Sequence, residues 1–414
     1  MRFVLFLVAG ILGAMTASSQ GTYVPLGEQD NHLIDRYRII YNKILPHLHA
    51  NFKPYNRKMV AAFADSLANA NINRNQVFRY NLRQLRIRNS DWSTDTFRSR
   101  RKLFNIFYTD PSHLYSVKTE DFLLKVNPIF EYRIGFEKDA ERHYFKNTRG
   151  LELRASISDK LSLYTYLTEN QTRPYAYVQS RINQREAVPG EGFFKDFKQN
   201  GVDYFTARGY IAFNVLEHID IQFGHGKHFI GNGHRSLMLS DHGNNMPFLK
   251  LNTRIWNLRY TNLFTQMTQQ YDRGPDRLLD KKYGAFHHLN LAVTDWLDVG
   301  LFEGVIFARN NGYELQYLNP IIFYRSVEQE LGSPDNAMVG LDFEVRALNH
   351  LSLYGQLVFD EFNFSHIRAC NTWTSLAYPI SMDDSSSTWY GLICTPTLMQ
   401  KATIPTTISH WHIL

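Results

Sequence analysis

The chain has 414 residues, a formal net charge of +6, a hydrophobic fraction of 44% and a mean hydropathy of −0.35, with 29 Phe and 24 Tyr. Its basic residues are scattered, with only Arg98-Ser99-Arg100-Arg101-Lys102 forming a dense run, so the balance describes a solvated surface or lumen and excludes a nucleic-acid partner. The two cysteines, Cys370 and Cys394, match no metal spacing, and beyond residue 20 no stretch is apolar for the roughly 20 residues that a membrane helix needs.

Met1-Arg2, an uncharged apolar run from Phe3 to Met15 and the small residues Ala17-Ser18-Ser19 read as an export signal over residues 1–19, cut before Gln20. Export delivers the chain to the periplasm, so any membrane it enters is crossed by strands. Residues 20–120 are helical and mixed. Asn56 can cap a helix carrying Met59, Phe63, Ser66 and Leu67 on one face, and Val77, Leu82 and Leu85 mark another after Asn75. This region reads as a small periplasmic domain or a plug.

From Asp121 to Glu361 the apolar period becomes two. Phe205, Ala207, Gly209, Ile211 and Phe213 alternate with Thr206, Arg208, Tyr210 and Asn214; Leu249, Leu251 and Ile255 with Lys250, Asn252 and Arg254; Val339, Leu341, Phe343 and Val345 with Asp342, Glu344 and Arg346. A row of charges on one strand face needs water or ion pairs, and a barrel lumen supplies both. Arg208, Lys250, Arg254, Asp342, Glu344 and Arg346 are therefore expected to line a lumen. Short links near Ser158, Glu217, Trp256, Asp295 and Asn349 take turns with long ones near 135–148, 170–202, 226–246, 269–282 and 309–337. That asymmetry predicts a transmembrane antiparallel β-barrel of the outer-membrane kind, all-β apart from its N-terminal region, with about eleven strands up to Glu361. In the tail at 370–414 the alternation stops, and the strands expected there look missing or frameshifted.

Three segments carry a resemblance: Gly231-Asn232-Gly233-His234-Arg235-Ser236-Leu237-Met238-Leu239-Ser240-Asp241, Tyr313-Glu314-Leu315-Gln316-Tyr317-Leu318-Asn319-Pro320-Ile321-Ile322-Phe323-Tyr324-Arg325, and Leu331-Gly332-Ser333-Pro334-Asp335-Asn336. Through them the chain resembles the capsule-assembly Wzi-like outer-membrane proteins, including the gliding-motility RemB branch. The resemblance implies a β-barrel with periplasmic helices that holds exopolysaccharide at the cell surface or serves surface motility.

Candidate chemistry is sparse. His225, His228, His234 and His242 lie in a loop without fixed spacing and are expected to meet water, not a metal. Asp342 with Glu344, and Asp360 with Glu361, have the composition of a glycosidase pair but are expected to be lumen lining. Tyr313, Tyr317, Tyr324 and Arg325, together with His234 and Arg235, form the ligand-binding candidate, since aromatic faces beside polar groups suit sugar rings; the alternative is a loop that folds inward and packs the lumen. The expectation is a non-enzymatic protein of the cell outer membrane without a cofactor. Its partners are outer-membrane lipid and, by resemblance, surface polysaccharide or the motility or secretion machinery, with a passive porin-like channel as the alternative.

Overall fold

A computed structural model describes residues 21–360 apart from 45–47, 49, 71, 73–74, 98, 100–105, 137–142, 159, 199, 217, 271–277, 310–311 and 333–334; beyond 360 it describes the backbone of 373–380 and 388–394. The export signal lies outside the described residues.

Three helices form an N-terminal unit: α1 (Gln29–Tyr41), α2 (Arg57–Asn69) and α3 (Gln76–Arg88), with the two-residue strand β1 (Phe52–Lys53) after α1. The Asn56 side chain accepts the N–H groups of Lys58 and Met59, and Asn75 accepts that of Phe78, so both predicted starts are capped. Val24, Leu33, Ile34, Tyr37, Val60, Phe63, Leu67, Leu82 and Leu85 close a core of their own. Val77, expected on the apolar face, is exposed instead. The buried positions Phe78, Leu82 and Leu85 follow i, i+4, i+7, and Val77 falls outside that stripe.

The rest is strand: β2 (Tyr115–Lys118), β3 (Phe122–Gly135), β4 (Tyr144–Ile157), β5 (Leu161–Arg173), β6 (Lys195–Phe197), β7 (Gly201–Leu216), β8 (Ile219–Gly226), β9 (Phe229–Ile230), β10 (Met246–Ile255), β11 (Leu258–Thr268), β12 (Lys281–Thr294), β13 (Leu297–Phe307), β14 (Asn336–Ala347) and β15 (Leu351–Asp360). Helix α4 (Ala176–Arg185) interrupts the link after β5, and a 3-10 turn (Leu315–Leu318) with α5 (Tyr324–Leu331) the link after β13. All but β1 and β9, which pair with each other, belong to one antiparallel sheet that follows chain order apart from β6, which pairs with β7; with two strands of the tail it has 15 strands. The tight links fall where the periodicity puts them, and Ser158, Trp256, Leu348 and Asn349 take the left-handed backbone that such turns demand.

Two further strands, β16 (Trp373–Ile380) and β17 (Thr388–Cys394), lie in the tail where none was expected. The edge of β15 offers a row of open backbone donors and acceptors, and β16 satisfies it by pairing Ile380 with Leu351 through Trp373 with Val358. Among the described residues β2 and β17 do not pair with each other.

Polarity across the sheet is inverted relative to a water-soluble fold. Phe130, Tyr132, Leu151, Phe205, Ile211, Phe223, Leu291, Leu301 and Leu341 are exposed on one face, while Lys125, Arg154, Lys250, Asp342 and Glu344 are buried on the other. Strands as far apart as β3 and β14 touch the same small N-terminal unit with that polar face, which requires the sheet to curl around it. The architecture is a β-barrel wall with its charges inside and its apolar residues outside. No helix among the described residues is long and apolar enough to cross a membrane.

Candidate functional site: the plugged lumen and its rim

All six predicted lumen residues face inward, and the N-terminal unit reaches four of them, Lys250, Arg254, Asp342 and Glu344. Arg38 of α1 reaches Glu344 at 2.9 Å and Asp298 at 3.2 Å. Arg346 shares both carboxylates, and Ser352 donates to Glu344 at 2.9 Å. Arg254 pairs with Asp220 at 2.6 Å and touches the Met59 sulfur of α2. The Lys250 ammonium stands 4.2 Å from the Tyr23 ring centroid and 5.5 Å from that of Phe52. Arg208 faces Glu191, which lies in the link between α4 and β6 and also receives Lys227. Because the plug residues that meet this row are remote in sequence, the row is found by period alone while its contacts with the plug are not.

The segment Gly231–Asp241 joins plug to wall. Phe52 pairs with Ile230, the Gly231 N–H donates to the Asn51 carbonyl, and Leu237 N–H donates to Gln356. Gly231 and Gly233 hold φ of 120° and 89°, and a Cβ at Gly233 would overlap the Tyr354 ring, so glycine is required there. Asp342 is the junction: Asn51 of the plug donates to it at 3.0 Å, Asn232 of the loop at 3.2 Å, and His288 of β12 lies 2.7 Å away. Both carboxylates of the supposed glycosidase pair are thus sealed structural acceptors. Glu361 lies outside the described residues. His234 and His242 are exposed in the loop as expected, His225 is exposed on β8 and not in a loop, and His228 is buried against Phe248 and Phe52, because the loop folds into the lumen instead of standing in water.

A second set of charges ties the end of the N-terminal unit to β3 and β4. Lys125 binds Asp91 and, at 2.9 Å, Asp110; Arg154 lies 3.7 Å from Asp91 and 2.7 Å from a His113 ring nitrogen. Asp91, Asp110 and His113 converge closely enough to hold a metal ion. Lys125 and Arg154 already compensate their charge, so the cluster is an ion-paired seam. Burial, then Arg154 and Lys125, hold the His113 imidazole down at about 2 from its ordinary 6.5. Burial raises Asp110, but Lys125 and the Ser112 N–H outweigh it and leave its carboxyl at about 2. Both folded values are depressed, so their stabilisation is fully present above the unfolded values and lost as pH falls through the folded ones. Proteolysis of the N-terminal unit is expected to accelerate progressively from about pH 6.5 downward, and a His113→Gln variant to lose the upper part of that dependence.

The tyrosine candidate is overturned as an open site. Tyr317 and Tyr324 are fully buried, Tyr313 is half-buried with its hydroxyl donating to the Gly284 carbonyl, and Arg325 is held by Glu328. The segment does not enter the lumen either; its rings pack on Phe264, Ala285 and Val305, whose side chains face outward. His234 and Arg235 remain exposed, with Arg235 3.8 Å from Asp241, and do not meet the tyrosines.

No protein-family model matches the sequence, and no curated protein matches it. Among solved structures the chain is similar to Wzi of Escherichia coli, an outer-membrane protein involved in group 1 capsule assembly and described as a carbohydrate-binding β-barrel. The match has 13% identity over 87% of this chain and 68% of that one, with a TM-score of 0.48. It is also similar to OccK9 (OpdG) of Pseudomonas aeruginosa, at 11% identity over 63% of this chain and 77% of that one, with a TM-score of 0.29.

An aromatic cluster with one exposed ring stands elsewhere, at residues that periodicity does not single out. Tyr144 opens β4, and Tyr175 and Tyr177 begin α4, all at the rim carrying the long links. Tyr144 and Tyr175 stack at 4.5 Å and 6°, Tyr175 and Tyr177 lie at 6.2 Å and 7°, and Tyr177 is 73% exposed. The sequence signal is the pair Tyr175-Ala176-Tyr177 inside a long polar link. Within the lumen, a cavity of about 40 Å³ beside Tyr23, Pro54, Arg208, Tyr210, Gln222 and His228 has room for little more than ordered water.

Proposed function

We propose that this chain is an exported outer-membrane β-barrel whose lumen is shut by its own N-terminal unit, and that it works at the cell surface by holding exopolysaccharide. The observation that carries the reading is the inverted polarity of the wall together with the buried Arg38–Glu344–Asp298 and Asn51–Asp342 ties, which make the plug part of the fold. A lumen filled in this way favours a surface scaffold over a diffusion channel. Tyr177, exposed at the end of the parallel set that Tyr144 and Tyr175 begin, offers a flat apolar face of the kind that sugar rings cover.

Full-length protein in a planar bilayer is expected to be silent where a porin conducts, and to retain the cells' own polysaccharide in co-sedimentation. If a sugar face on tyrosine is worth what an aromatic pair is, about 0.5–1.5 kcal/mol, Tyr177→Ala weakens retention about twofold to tenfold. Steady ion conductance, or retention indifferent to Tyr175→Ala and Tyr177→Ala together, would overturn the reading.

A further inference from the structure

The outward face of β11–β13 carries a polar row that is buried, whereas the outward pair Arg149–Glu169 on β4 and β5 stands exposed. On β7 the outward positions read Phe205, Ala207, Gly209, Ile211 and Phe213, and on β14 Ala337, Val339, Leu341, Phe343 and Val345. Five alternate positions extend about 27 Å along a strand, close to the full apolar band of an outer-membrane barrel once strand tilt is allowed for. In the register row that contains Val339, the neighbouring strands carry Glu303, His287 and Asn262. The row next to it is Leu341, Leu301, Leu289 and Tyr260, and Leu301 is 52% exposed. A carboxylate, an imidazole and an amide therefore sit in the middle of a band meant for acyl chains, where an uncovered polar group is costly.

They are covered. The segment Tyr313–Leu331 lies over them on the outside of the wall. The first N–H groups of α5, from Tyr324 and Arg325, donate to Glu303 at 2.7 and 3.3 Å, so a wall carboxylate caps this helix and meets the positive end of its dipole. The Tyr324 ring lies 4.0 Å from that of His287, and the Tyr260 hydroxyl donates to the Pro320 carbonyl at 2.7 Å. Phe264, Ala285 and Val305 pack against Tyr317, Tyr324 and Val327. Arg309 grips Asp335 through two bonds of 2.8 and 2.7 Å and clasps the two ends of the segment together.

Away from the wall the segment presents Leu315, Ile321 and Phe323, which are 75%, 86% and 54% exposed. The Tyr260 bond places Pro320, and the Ile321 that follows it, beside the row of Leu289 and Leu301, so this apolar surface continues the uncovered lipid-facing rows. We infer that Tyr313–Leu331 is a strap embedded in the membrane on the lipid side of the barrel, with Leu315, Ile321 and Phe323 in contact with acyl chains. The inference rests on the outer-membrane reading and assigns the long motif a lipid partner instead of a sugar.

The test uses single nitroxide labels on the full chain with Cys370→Ser and Cys394→Ser, folded into vesicles of dioleoyl phosphatidylcholine and phosphatidylglycerol. Labels go at Ile321→Cys, Phe323→Cys, the wall control Leu301→Cys and the rim control Tyr177→Cys, and collisions with oxygen and with a water-soluble nickel chelate are compared. The expected result is an oxygen-to-nickel ratio at Ile321 and Phe323 that matches Leu301 and exceeds Tyr177 severalfold. If Leu301 reports lipid while Ile321 and Phe323 report water, the strap stands above the membrane and the inference fails. Shielding of both strap labels from both agents would mean a protein contact, such as a second copy, and also overturns it. A nickel-accessible Leu301 would instead remove the membrane reading itself.

Discussion

Arg38→Met is expected to unseat the N-terminal unit and open the lumen. The substitution keeps an unbranched apolar stem but leaves Asp298 and Glu344 with Arg346 as their one shared guanidinium among the described residues, among side chains that are nearly sealed from water. Removing one partner from a buried ion-pair network costs about 3–5 kcal/mol, because the uncompensated charge stays buried. That shifts the seated-to-released equilibrium by about two to three and a half powers of ten. The variant should show conductance bursts in a planar bilayer and faster protease cleavage after α1, where wild type shows neither. Adding Asp298→Asn, which removes one of the stranded charges, should restore part of the closure. A silent, protease-resistant Arg38→Met would mean that the tie at Asp342 and the β1–β9 pairing hold the plug without it.

Lys250→Met is expected to act in the opposite sense and stabilise the protein. The Lys250 ammonium is fully buried and makes no hydrogen bond among the described residues. Asp220 on the next strand pairs with Arg254 at 2.6 Å through one oxygen and makes no hydrogen bond to Lys250. Its compensation is the pair of rings of Tyr23 and Phe52, and a desolvated cation over an aromatic face gains about 2 kcal/mol. Taking the charge out of water costs several kcal/mol, so the desolvation penalty wins. A methionine of similar volume keeps the packing on Phe52, and stability should rise by about 1–4 kcal/mol, read as a higher urea midpoint with an unchanged slope. Arg254→Met is the informative contrast, since it strands Asp220 and should destabilise. If both variants lose stability, the ring contacts of Lys250 outweigh the cost of its burial.

Several features are legible in the sequence because their causes are local. A strand turns successive side chains to opposite faces, so the alternation over 204–215 and 339–345 marks both the strands and their two environments. Asn56 and Asn75 mark helix starts because an orphan N–H finds its acceptor within three residues. The tight links are visible as interruptions too short for anything except a hairpin.

The candidate site divides along the same line. Residue type and period identify Arg208, Lys250, Arg254, Asp342, Glu344 and Arg346 as a charged inner row, but Arg38 lies 306 residues from Glu344, and no spacing rule spans that distance. Glu303, His287 and Asn262 are unreadable for a different reason. A polar residue on the outward face looks like a lapse in the alternation, and it acquires meaning only beside the strap that covers it. Composition misplaces the aromatic motif from Tyr313 to Arg325, because its residues are equally suited to a sugar, a lumen or a wall.

A β-barrel chain with a capped helical N-terminus follows from the order of residues alone, since backbone geometry converts period directly into strands, faces and turns. That the charged row is a seat for the N-terminal unit, and that the long motif lies on the outside of the wall, emerges only once the strands are curled around the helices. Pairings of that kind are settled by which buried charges and apolar faces can satisfy one another in three dimensions, and a linear pattern records the need for a partner without recording who the partner is.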